Sequence, residues 1–165
     1  MTDKSSETSR APTVALAVGR DRAYAVGPGL REAWPRAELP ARFGEATRRL
    51  APRWVVWSAR RALREVVTAG VAVSRTWDLA EVHRLIHGGW WASPGHVVAG
   101  CGGLPESDVP QPPPAHRAGF DGDLFEAASA GESTLLSAEG HLRADALTGW
   151  ATDDDRLEQL CRLAL

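Results

Sequence analysis

Apolar positions in this chain change their spacing several times, and each change marks an element. Thr13–Val18 (TVALAV) and Ala23–Val26 (AYAV) are short apolar runs around Gly19-Arg20-Asp21-Arg22. Two such runs across a glycine-containing four-residue turn predict a β-hairpin, which Pro28-Gly29 ends. Ala41–Leu50 follows Pro40 and places Phe43, Ala46 and Leu50 on one helical face, and Pro52 closes it. Trp54-Val55-Val56-Trp57 is apolar without a break, the pattern of a strand covered on both faces. Ser58 is placed to accept from a free N–H at the start of a helix over Ala59–Ala69. That helix buries Leu63, Val66 and Val67, exposes Arg60, Arg61 and Arg64, and stops at Gly70. Val71-Ala72-Val73 then resumes as a strand. A strand–helix–strand unit predicts a parallel pair, hence a layered α/β fold.

Further along, Asp78 caps a helix over Leu79–His87 with Leu79, Val82 and Ile86 inward, stopped by Gly88-Gly89. Ser93-Pro94 reads as an N-cap followed by proline in the first turn, opening a helix through Val97, Val98 and Cys101. The predicted organisation is a polar tail over 1–11, an α/β core over 12–104, a proline-rich linker over 105–119 and a small irregular and helical segment over 120–165. In the last segment Asp123–Ala130 is a helical turn. Thr152 caps a closing helix with Leu157, Leu160, Cys161 and Leu163-Ala164 inward.

Composition narrows this little. At 165 residues, 44% apolar and 24% charged, the chain has the means for one core. No apolar run approaches the ~20 residues that cross a bilayer, and residues 1–12 lack a signal-peptide core. The expectation is a soluble cytoplasmic protein. Charge is more informative. Residues 1–87 hold 15 Lys+Arg against 9 Asp+Glu, a balance of +6, and residues 88–165 hold 4 against 12, a balance of −8. A basic half can face a polyanion such as DNA; two signs on one solvated surface is the plainer account.

Candidate chemistry is sparse. His83 and His87 share a helical face and could share a metal, but no third ligand or HExxH pattern accompanies them, so core-edge packing is preferred. Asp153-Asp154-Asp155 suits a helix start, and Asp121-Gly122-Asp123 and Glu106-Ser107-Asp108 suit surface turns. Cys101 and Cys161 fall on apolar helix faces and read as buried thiols. Of the seven tryptophans most are assigned to packing, with Trp90-Trp91 the pair most open to solvent. Neither a phosphate-binding glycine loop nor a nucleophile triad can be assembled.

The ordered run of WVVWSARRALREVVTAGVAVSRTWDLAEVHRLI (Trp54–Ile86), HGGWWASPG, GDLFE, GHLRADALTGW and RLEQLCRLAL resembles the N-terminal region of actinobacterial family-A DNA polymerases, the bifunctional 3′–5′ exonuclease/DNA polymerases. The resemblance covers most of residues 13–165. It implies an RNase H-like proofreading-exonuclease fold, a mixed sheet flanked by helices, in a DNA replication or repair setting. Such nucleases use two divalent ions held by carboxylates. The first carboxylate motif, a DxE pair on the first strand, is missing here, and the hairpin TVALAVGRDRAYAVG resembles the strands that follow it. The positions of the second motif fall on Ser58 and Ala62, and the third matches weakly as Trp150 and Asp154. The resemblance therefore implies a chain inactive by itself, needing Mg²⁺ only if exonuclease activity survives, and without the polymerase region. What it leaves is a structural module beside a polymerase-like partner, with weak, sequence-independent DNA contact through Arg53, Arg60, Arg61 and Arg64. The alternative is a protein-interaction module using the proline-rich segment and the acidic C-terminal half, with no DNA role.

Overall fold

The computed structural model describes residues 11–110, 135–143 and 156–165. Five strands form one mixed sheet: β1 (Thr13–Val18), β2 (Arg22–Gly27), β3 (Leu30–Pro35), β4 (Arg53–Val56) and β5 (Thr76–Asp78), in the order β3-β2-β1-β4-β5. β2 is antiparallel to both β1 and β3, while β1–β4 and β4–β5 are parallel. The α/β class and the parallel pair flanking a helical crossover are therefore as the sequence predicts.

Side chains alternate cleanly across this sheet. Val14, Leu16, Ala23, Ala25, Leu30, Trp34, Trp54 and Val56 point to one face, where α1 (Leu39–Leu50), α2 (Ala59–Ala62) and α3 (Arg64–Thr68) cover them with Leu39, Phe43, Ala46, Leu63 and Val66. The Phe43 and Trp54 rings stack with centroids 4.5 Å apart, and the Trp54 indole N–H donates to the Thr47 hydroxyl at 3.0 Å. Ala15, Ala17 and Trp57 point to the other face. Its cover comes from Val97 of α5 (Pro94–Gly102), from Leu135 and Leu142, and from α6 (Leu157–Ala164) through Leu157, Leu160 and Cys161. The Trp57 indole N–H donates to the Leu160 carbonyl at 3.2 Å, tying β4 to α6.

Several expectations need correction. Pro28-Gly29 does not end the hairpin region: Gly29, at φ +77°, turns the chain into β3, where Leu30 and Trp34 are buried and Arg31 and Glu32 are not. β1 lies at the centre of the sheet, between β2 and β4. Val71–Val73 is not a strand. Gly70 (φ +75°) and Arg75 (φ +51°) bend the chain so that pairing begins only after the Trp54 N–H bonds to the Arg75 carbonyl, and Thr76–Asp78 becomes the edge strand.

The helix expected over 59–69 is two pieces, because Leu63 leaves helical geometry (φ −106°, ψ 4°) as its side chain enters the core. Val67 consequently faces solvent. On α4 (Leu79–His87) the inward residues are Ala80 and His83, whereas Ile86 is 71% exposed. Leu79 packs at the edge of the cluster on the Trp57 face, while the rest of α4 packs against α5, and a close helix pair admits small side chains best. Cys101 is exposed and Cys161 buried. Trp77 is also exposed, together with Trp90 and Trp91. Within the stretch expected as linker, Glu106–Asp108 forms a 3-10 turn and Val109 is buried. Thr152, Trp150, Asp154 and the GDLFE stretch lie outside the described residues.

Candidate functional site

In open α/β sheets ligands bind beyond the carboxyl ends of parallel strands. Here those ends carry Val18-Gly19 after β1, Trp57-Ser58 after β4 and Asp78 at the end of β5. Asp78 stands opposite Val56 in the register, which brings its carboxylate against the first turn of α2. Its Oδ2 accepts from the Ala59 N–H at 2.7 Å, and its Oδ1 accepts from Ala80 N–H at 3.0 Å and Glu81 N–H at 3.2 Å. One carboxylate thus caps two helices, α2 and α4. Ser58, expected to cap the first of these, makes no such side-chain bond. The side chain that bonds the start of α2 is that of Asp78, at the Ala59 N–H.

Among the described residues, the ends of the parallel strands at this edge carry one carboxylate, that of Asp78. A pair of divalent ions takes several carboxylate oxygens. The two positions aligned with the exonuclease motif offer a hydroxyl (Ser58) and a methyl group (Ala62), and Ala62 packs against the core cluster of the α1–α3 face. The neighbouring Asp78 already accepts from three backbone N–H groups. Among the described residues no group of three His, Cys, Asp or Glu side chains converges on a metal-sized site.

The four arginines do not form one patch. Arg53 sits at the amino end of β4 on the face shared with Val55 and Trp57, where its guanidinium lies 5.0 Å from the Trp77 ring centroid. Arg60, Arg61 and Arg64 follow the carboxyl end of β4, on the helices that cover the opposite face. All three are exposed, and among the described residues none of them forms an ion pair. The one carboxylate on α2 and α3, Glu65, is bound by Arg36 at 2.6 Å.

The histidine pair is explained by packing. The His83 and His87 rings lie 4.6 Å apart against Gly100 of α5, where a Cβ would sit 3.0 Å from both rings. Burial, then the neighbouring His87, lowers the His83 pKa below its ordinary value, while Glu106, with Oε1 at 3.7 Å from Nε2, opposes them. A buried ring filling a helix crossing is the arrangement seen.

Sequence reasoning missed two features. Asp78 was legible as a cap for α4 but not as the second cap of α2, because that bond spans 19 residues and a strand pairing not visible from composition. The groove beside Val67 was also missed, since a single unbroken helix would have turned Val67 inward. No protein-family model, curated protein or solved structure matches the chain. No helix among the described residues is long and apolar enough to cross a membrane.

Proposed function

We propose that this chain is a non-catalytic module with an RNase H-like sheet, of the kind that resembles the exonuclease region of family-A DNA polymerases, and that it serves as a structural partner within a cytoplasmic replication or repair assembly. The strand order β3-β2-β1-β4-β5, with β2 alone running against the rest, supports the RNase H-like reading. The observation that carries the absence of hydrolysis is the engagement of Asp78, whose two oxygens hold three backbone N–H groups at the place where metal-ligating oxygens would be needed.

The test is a nuclease assay. Purified chain is incubated with end-labelled single-stranded DNA and Mg²⁺ or Mn²⁺, and the expected result is full-length DNA. Trimming that disappears in Asp154→Ala would overturn the proposal.

A second reading, sequence-independent contact with DNA, is favoured by Arg60, Arg61 and Arg64, which are exposed and form no ion pair among the described residues. Binding of that kind weakens steeply with salt, since each neutralised phosphate releases counterions. Filter binding at two salt concentrations, with Arg60→Glu/Arg64→Glu as control, measures it.

A further inference from the structure

The outer face of α2 and α3 carries a surface feature that DNA contact does not explain. Leu63, Val67 and Val73 floor an open groove of about 350 Å³, and Arg60 and Arg64 stand along its rim. Val67 is 60% exposed, turned about 100° round the helix from the buried Val66. It is exposed because the break at Leu63 rotates α3 relative to α2. The groove therefore offers an aliphatic floor between cations that form no ion pair among the described residues.

Two features of the groove select its occupant. Its charge is uncompensated: Arg60 and Arg64 are four apart, Arg61 lies beside them, and Glu65 is turned away to Arg36. Its floor is aliphatic, whereas single-stranded nucleic acid binds by stacking bases on aromatic rings. The exposed tryptophans belong to other elements: Trp77 to β5, Trp90 and Trp91 to the segment between α4 and α5. A nucleic acid lying on the arginines would leave the aliphatic floor bare. An amphipathic helix with leucine-type anchors and flanking carboxylates satisfies both the floor and the rim.

We infer that the α2–α3 groove is a docking site for an acidic amphipathic helix of a protein partner, with Leu63, Val67 and Val73 receiving its aliphatic anchors and Arg60 and Arg64 pairing with its carboxylates. This names the surface through which the structural role proposed above is exercised, and it rests on that reading. Because the groove is made by one short crossover, the partner recognises local geometry, not the whole sheet.

The test uses the full chain and a fluorescent synthetic helix of about fourteen residues, with leucines at i, i+4 and i+7 and glutamates on both flanks. Anisotropy is read at about 0.15 M salt, where exposed charges are already partly screened. The expected result is saturable binding that falls about tenfold in Arg60→Glu/Arg64→Glu. Val67→Asp should weaken it comparably, and a glutamine version of the peptide should bind more weakly than the glutamate one. All three substituted residues are exposed, and an unchanged circular dichroism spectrum verifies folding.

Absence of peptide binding overturns the inference, as does binding that none of these changes affects. It is also overturned if a single-stranded oligonucleotide binds the same surface more tightly, or if Val67→Asp only dissolves a dimer of this chain. The nuclease assay fails independently. DNA trimming alongside intact peptide binding removes the non-catalytic reading and leaves the groove standing, whereas no trimming and no peptide binding removes the groove alone.

Discussion

The two faces of the sheet are closed in different ways. The face bearing Trp54 is covered by α1, α2 and α3, which lie within residues 39–68 and so adjoin the strands they cover. Large side chains meet there: Phe43 against Trp54, with Leu16, Leu39 and Val56 around them. The face bearing Trp57 presents the small Ala15 and Ala17, and its cover arrives from α5, Leu135, Leu142 and α6. The bond from Trp57 to Leu160 spans 103 residues. One face is thus a local assembly built on aromatic bulk, and the other is a long-range closure that depends on a distant helix. Loop closure costs entropy that grows with the length closed, so the second face is the more expensive to order per contact made.

That contrast can be broken most directly at its two anchors. Trp54→Ala removes the largest fully buried side chain and leaves the Thr47 hydroxyl without its indole donor, so a loss of about 3–5 kcal/mol is expected in urea unfolding. Leu160→Ala should cost less, about 2–4 kcal/mol, and act mainly on the second face. A specific reporter is available there. Burial pushes the Cys161 thiol up to about 12, and its Sγ donates to the Tyr24 carbonyl at 3.1 Å, so in the native protein it should resist thiol reagents while the exposed Cys101 reacts. Leu160→Ala should speed modification of Cys161 and leave Cys101 unchanged. Equal acceleration of Cys161 by Trp54→Ala, at matched stability, would show that the faces open together and the distinction fails.

Asp78 comes next. Asp78→Ala strips the cap from both α2 and α4, and about 2 kcal/mol is expected. Asp78→Asn retains one acceptor oxygen and should keep part of that stability. If both variants unfold at the wild-type urea midpoint, the carboxylate does not hold the edge of β5 to the two helices.

The smallest effect concerns pH and belongs to the second face, where α4 and α5 meet. His83 favours its neutral form in the folded protein because of burial and the adjacent His87, with His96 and Arg84 acting the same way and Glu106 opposing. Its folded pKa lies below that of the unfolded chain, near 6.5, so below that pH the unfolded state binds more protons. Stability from this residue is therefore complete above about pH 6.5 and is lost as pH falls through the lowered folded value. A series of melts from pH 7.5 downward should show this decline, and His83→Gln should flatten it. A slope that survives His83→Gln places the titration elsewhere.

How much of this was legible in the sequence follows the same division. The hairpin, α1 and the twice-buried Trp54–Trp57 run were readable because their contacts are near in sequence and their periods unambiguous. The caps at Asp78 and Ser93 were readable from residue chemistry, and both side chains accept the bonds expected of them. The inward face of α6 was also readable, since Leu157, Leu160 and Cys161 recur at helical spacing. What the pattern did not disclose was where such a face docks. β3 was hidden because Pro28-Gly29 signals a stop and a tight turn equally well. Val71–Val73 looked like a strand because β-branched composition is strong there, yet pairing was decided by the left-handed Arg75 three residues before Asp78. On α4, the stripe of Leu79, Val82 and Ile86 outweighed Ala80 in the apolar pattern, although a helix crossing at Gly100 needs the smaller side chain. At the candidate site, Ser58 follows β4 and Ala62 ends α2, and what the spacing did not disclose was that Arg53 lies on the opposite face of the pleat from the helices carrying Arg60, Arg61 and Arg64.

The late arrival of α6 has a consequence during synthesis. Ala15, Ala17 and Trp57 leave the ribosome long before the helix that shelters them, so the nascent chain passes through a stage with one side of its sheet finished and the other greasy and bare. A chaperone that reads exposed aliphatic and indole surface would find its substrate there, and would be displaced when residues 157–164 emerge and settle.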